Sequence, residues 1–148
     1  MTTIEKIASK LLQWPSLRHS MDGSTIKVES GTDDGFCIWL TENQSGYTVG
    51  FDGWHEEFED EEEALATFAF GLSDDCRLKV LQRGNMDCAW AVEGKDVNGE
   101  WTGDSTTGLL ITPFWRKRKI VYRQNHVITN SEQVNANQPT AAEDPKSE

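Results

Sequence analysis

Seven acids fall in the eight positions from Glu56 to Glu63, broken only by Phe58. Like charges at this density repel one another, so the stretch must stay in water. An apolar run follows at once, beginning with Ala64 and Leu65. Asp60 followed three residues later by Glu63 is a capping-box pattern, and acids in a first helical turn face the positive end of the macrodipole. Leu65, Phe68, Ala69 and Leu72 then recur at i, i+3, i+4 and i+7, which predicts a helix with that face buried. Gly71 reads as its C-terminal stop. A cap uses one or two carboxylates. The surplus is what a surface built to meet a basic partner would carry.

The flanking sequence supplies the rest of a fold. Thr2 and Glu5 repeat the capping pattern, and Ile4, Ile7, Ala8, Leu11 and Leu12 follow helical spacing up to Pro15, predicting an amphipathic N-terminal helix. Period-two alternation predicts strands over 24–30, 36–41 and 47–51, separated by turn chemistry at 31–35 and 43–46. Gly50 reads as a bulge. After the central helix, alternation returns at 77–82 and 88–93. Asn98-Gly99 is a hairpin signal ahead of a strand near Trp101. Leu109–Thr112 finishes or resumes that strand before Pro113, and 119–124 is the last strand. The predicted class is α+β: an antiparallel sheet of about six strands with two helices packed on it. The order is helix, three strands, helix, three or four strands.

With 148 residues, the chain suits one domain that needs no disulfide or metal to fold. The globular part is expected over 1–126. Residues 127–148 carry little apolar content and read as a disordered polar tail. The net charge of −11 favours solubility and argues against nucleic acid and membranes as partners. No apolar run approaches the ~20 residues of a bilayer span. Cys37, Cys76 and Cys88 are odd in number and widely spaced, unlike a disulfide framework or a zinc site, which points to a cytoplasmic protein. They read as small hydrophobes on strands.

No catalytic, metal or cofactor motif stands out. Ser105 lies in GDSTTG, which is not GxSxG. His19, His55 and His126 lack ligand spacing. Neither GTDDG nor GDSTTG is a phosphate-binding glycine loop. Two surface candidates remain. The first joins Trp54 and Phe58 to Glu56, Glu57, Glu59, Glu61 and Glu62, an aromatic pair within concentrated negative charge, as an interface hot spot would be. The second is Trp115 with Arg116, Lys117, Arg118 and Lys119, following Phe114. It reads as a charged loop before an edge strand, as a contact for the acidic stretch within the chain or in a dimer, or as a nucleic-acid patch that the net charge opposes.

These observations predict a small acidic cytoplasmic protein that engages a basic protein partner without cofactor or metal. By analogy of class it is an immunity-type protein that neutralises a toxin. Two other readings stay open: an enzyme or small-ligand protein with a pocket between sheet and helices, and a homodimeric structural domain.

Overall fold

The computed structural model describes residues 1–109 and 112–128, without the side chains at 104 and 105. Helix α1 spans Thr3–Leu11, and five strands follow: β1 His19–Asp22, β2 Thr25–Val28, β3 Ile38–Asn43, β4 Gly46–Phe51 and β5 Trp54–Phe58. Helix α2 spans Glu61–Gly71. Four strands follow: β6 Cys76–Arg83, β7 Met86–Lys95, β8 Trp101–Gly108 and β9 Arg118–Arg123. The α+β class and both helices are as expected. The single sheet is not: the strands form two antiparallel sheets, ordered β1-β2-β3-β4-β5 and β8-β7-β6-β9.

The N-terminal helix follows its sequence pattern. Thr2 Oγ1 accepts from Glu5 N at 3.1 Å and Glu5 Oε2 accepts from Thr2 N at 2.8 Å, which closes both halves of a capping box. Ile4, Ile7 and Leu11 are buried, while Leu12, beyond the last turn, is exposed. The first sheet has two strands more than its alternation predicts. β1 is exposed at all four positions and so carries no apolar signal. Pairing with β2 across the Gly23–Ser24 turn holds it, Asp22 opposite Thr25, with Gly23 at φ +59° where a side chain would strain. β5 pairs with β4 across the two-residue turn Asp52–Gly53, Phe51 opposite Trp54. Asp52 sits at φ +50°, the left-handed region such turns require.

Helix α2 packs on β3, β4 and β5 with Ala64, Phe68 and Leu72 buried. The expected face is thus rotated: Leu65 is half-buried and Ala69 exposed. Gly71 is the point of closest approach. A Cβ there would lie 2.6 Å from Phe51 Cε1 and 3.0 Å from Ile38 Cδ1, so this glycine is a packing residue and not a stop. Gly50 forms no bulge either. It pairs in register between Trp39 and His55, and the Trp39 indole lies over it where a Cβ would be.

One core joins both sheets. It runs from Ile4 and Ile7 through Ile26, Leu40, Val49, Phe51 and Phe68 to Leu78, Val80, Trp90 and Val92. Strand β5 touches β7 and β8, and the Trp90 indole packs on Gly53, where a Cβ would come within 2.5 Å. The segment after β9 straps the halves together. Gln124 N donates to Asp34 O at 2.8 Å, and the Asn125 side chain accepts from Phe36 N and donates to Gly71 O. Val127 N and Ile128 N both donate to Leu72 O at 2.9 Å. Packing therefore continues two residues past the expected boundary at 126. The expected tail from 129 onward lies outside the described residues, as do Leu110 and Ile111 of the expected strand 109–112.

Candidate functional site

The acidic stretch belongs to two elements. Glu56 and Glu57 lie on β5, one of the two edge strands of the first sheet. Asp60 is the N-cap of α2, its Oδ2 accepting from Glu63 N at 3.0 Å, and Glu61, Glu62 and Glu63 form the first turn. The reading of the whole run as a helix entrance is thereby corrected: Glu56, Glu57 and Phe58 are strand. The Asp52-Gly53 dipeptide between Phe51 and Trp54 is the sequence signal for that hairpin.

Strand β5 and the adjoining side of α2 diverge, and a groove of about 960 Å³ opens between them. Its apolar lining is Phe51, Trp54 and Val92, all buried, with half-buried Phe58 and Phe70 and exposed Ala66. Its rim is Glu56, Glu57, Glu59, Asp60 and Glu63. No lysine or arginine lines it, and none of the rim carboxylates makes an ion pair among the described residues. Alternation along β5 puts Trp54, Glu56 and Phe58 on one face and Glu57 on the other, while Glu63, Ala66, Thr67 and Phe70 lie at i, i+3, i+4 and i+7 on α2.

Of the expected partner-binding residues, Trp54, Glu56, Glu57, Phe58 and Glu59 line this groove; Glu61 and Glu62 do not. Trp54 is only 3% exposed, its ring 4.7 Å from that of Phe51, so it builds the floor more than it offers a surface. Glu61 is engaged inside the fold. Its carboxylate accepts from Thr3 Oγ1 at 2.7 Å and from Lys6 Nζ at 2.9 Å, tying α1 to α2. The Thr3 hydroxyl first, and Lys6 second, hold this carboxyl below the usual range, and the same bond raises Lys6. Sequence reading overlooked Phe51, Ala66, Thr67, Phe70 and Val92. The second helical stripe of α2 was the available signal for three of them.

The cationic loop lies on the second sheet. Gly84 N donates to Lys117 O at 2.9 Å, anchoring the loop to the β6–β7 hairpin. Arg118 and Lys119 begin β9, opposite Arg83 and Gln82. Phe114 and Trp115 are 75% and 71% exposed and stack edge to face with centroids 5.3 Å apart. Among the described residues, Arg116, Lys117, Arg118 and Lys119 make no ion pair.

The remaining candidates are scattered. His19 and His55 are exposed on β1 and β5, and His126 Nδ1 lies 2.8 Å from Asp74 Oδ1. No group of three or more His, Cys, Asp or Glu among the described residues could hold a metal ion. The Ser105 side chain lies outside the described part; its backbone pairs with Val92. Cys76 and Cys88 are buried on strands, whereas Cys37 is half-buried just ahead of β3. Burial pushes the Cys76 thiol up to about 12, and burial followed by the nearby Asp52 charge raises Cys37. Both shifts keep these thiols protonated and poorly nucleophilic.

Charge divides between the two halves of the chain. Residues 1–75 hold four Lys/Arg against sixteen Asp/Glu, a formal −12, and residues 76–128 hold nine against five, a formal +4. The last twenty residues carry −3, which restores the total of −11. No helix among the described residues is long and apolar enough to cross a membrane. No family model, curated protein or solved structure matches this chain.

Proposed function

We propose that this chain is a small acidic binding protein whose β5–α2 groove receives a basic segment of a protein partner. The observation that carries the reading is an apolar floor inside a rim of carboxylates that make no ion pair among the described residues. The two parts do different work. The rim attracts and orients a cationic surface, raising the association rate at low salt. The floor, with Phe58 and Phe70 half-buried along it, accepts an apolar side chain or the aliphatic stem of a lysine or arginine. A partner held this way has its basic site covered, which is how an immunity-type protein silences a toxin. Three free thiols fit a reducing compartment such as the cytoplasm.

The test is affinity capture with the wild-type chain and with the triple variant Glu56→Lys, Glu57→Lys, Glu59→Lys. Both are washed at low and at high salt. A basic protein retained by the wild type, lost from the variant and released by salt would support the groove. A partner recovered equally by both chains would place the binding site elsewhere. The triple variant should melt at or slightly above the wild-type temperature, because it relieves repulsion on an exposed surface.

A further inference from the structure

The acidic groove suits a cationic occupant, and the second sheet presents a cationic loop whose charges make no ion pair among the described residues. Phe114 and Trp115 stand more than two-thirds exposed ahead of four consecutive cations, beside the exposed apolar side chains of Ile120 and Tyr122 on β9. Exposed aromatics on a soluble chain mark a surface that becomes covered. The loop is held in place by the Gly84–Lys117 backbone bond, so it pays little ordering entropy on binding. Its order of chemistry matches the groove: aromatic groups for an apolar floor, cations for the carboxylate rim.

We infer that the loop 113–119 of one copy docks in the β5–α2 groove of a second copy, so that the chain associates with itself through oppositely charged surfaces. The inference rests on the groove reading above and gives its occupant a chemical identity. The surfaces belong to different elements, so a loop from one copy enters a groove on the other. Exposed ion pairs are individually weak, and several must act together around the aromatic anchor. The association is therefore modest in affinity and sensitive to salt. A basic partner with a stronger version of the same segment would displace the second copy, which makes self-association a competitor of partner binding.

Sedimentation velocity on the full chain tests this with two neutralised variants. The groove variant carries Glu56→Gln, Glu57→Gln and Glu59→Gln; the patch variant carries Arg116→Gln, Lys117→Gln and Arg118→Gln. The wild type should show mass rising with concentration at about 20 mM salt and lose at least about tenfold in association constant near 500 mM. Each variant alone should be monomeric while retaining the wild-type melting curve. An equimolar mixture should regain association, because the patch variant keeps its groove and the groove variant keeps its loop. Loss of folding in either variant would show in the melting curve, and Trp115→Ala, which removes no charge, then serves as the patch variant.

A wild type that stays monomeric at every concentration overturns the inference, as does self-association undiminished in both variants. Polylysine serves as a separate probe of the groove. If the monomeric wild type binds polylysine and the groove variant does not, the basic-partner reading stands and only the second copy is excluded as occupant. If neither chain binds polylysine, both readings fall.

Discussion

The helices with the first sheet, and the second sheet, share one core but differ in surface. The first carries a formal −12 over residues 1–75 and the second +4 over residues 76–128. Folding does not need this division, since the interior contacts between the halves are apolar: Gly53 against Trp90, and Phe51 and Phe68 in one cluster with Leu78 and Val80. Opposite charges meet at the seam only locally. Arg123 on β9 reaches Asp52 in the β4–β5 turn at 2.8 Å and Asp87 on β7 at 2.9 Å. Burial works to lower this guanidinium, but its bonds to Asp87 and Asp52 outweigh it and raise the group. Lys6–Glu61 and Arg77–Glu93 pair within their own halves, while the groove-rim carboxylates and the cations 116–119 make no ion pair among the described residues. Core and surface therefore obey separate requirements here, and it is the segregated surface charge that the proposed binding would use.

The largest expected effect tests whether the two halves unfold together. Phe51 is fully buried where α2 meets the first sheet, and Phe51→Ala should cost about 3–5 kcal/mol. Loss of far-UV circular dichroism and change in tryptophan fluorescence should coincide in urea. A second transition belonging to the β6–β9 sheet would break the description of a single core.

Next comes the seam. Arg123 is only 21% exposed, and Arg123→Ala should cost about 1–3 kcal/mol, because Asp52 and Asp87 are left half-buried without their cation. A loss no larger than that of an exposed alanine substitution would show that apolar packing alone holds the halves together.

A smaller, pH-dependent effect belongs to the acidic half alone. The Glu61 carboxyl titrates below its ordinary range in the folded chain. Its contribution is present above the unfolded carboxylate value and is lost as pH falls through the lowered folded value. The unfolding free energy of wild type minus that of Glu61→Gln should be positive at neutral pH and shrink on acidification. Lys6 has the opposite sign: its pKa is raised, so its share is present below the ordinary lysine value and lost as pH rises past the raised one. Urea titrations across pH measure both, and a difference that does not vary with pH would show that the Glu61 bonds contribute no net stability.

The smallest effects on stability are expected at the surfaces proposed for binding. Trp115→Ala and Glu57→Lys should each change stability by less than about 0.5 kcal/mol while changing association. A large loss of stability in either would return these residues to the fold and take them from the interface.

Legibility in the sequence varied with the kind of signal. The α1 capping box and its buried Ile4, Ile7 and Leu11 were readable because one polar face opposes one apolar face. Strands β2, β3, β4, β6 and β7 were readable from alternation. β1 was not, because a solvated edge strand carries no pattern, and β5 was hidden because its acids resembled a helix entrance. Both lie beside two-residue turns, Gly23–Ser24 and Asp52–Gly53, whose glycines were the available clue. Five of the seven residues expected to meet a partner line one groove. The other two, Glu61 and Glu62, were grouped with them because charge density does not reveal which way each carboxylate on α2 faces; Glu61 is held by Thr3 and Lys6 of α1.

By itself the sequence determined the class of elements, the acidity, the two caps and the position of most strands, since these depend on neighbours a few residues apart. Only the tertiary structure decided that the strands divide into two sheets, for alternation specifies a strand's faces and not its partners. It also decided which side of α2 is buried. That helix is apolar on several sides from Ala64 to Phe70, and the close approach at Gly71 to Phe51 and Ile38 selects the face. The groove follows from that choice: once Ala64, Phe68 and Gly71 face the sheet, Glu63, Ala66, Thr67 and Phe70 are left along the opening beside β5.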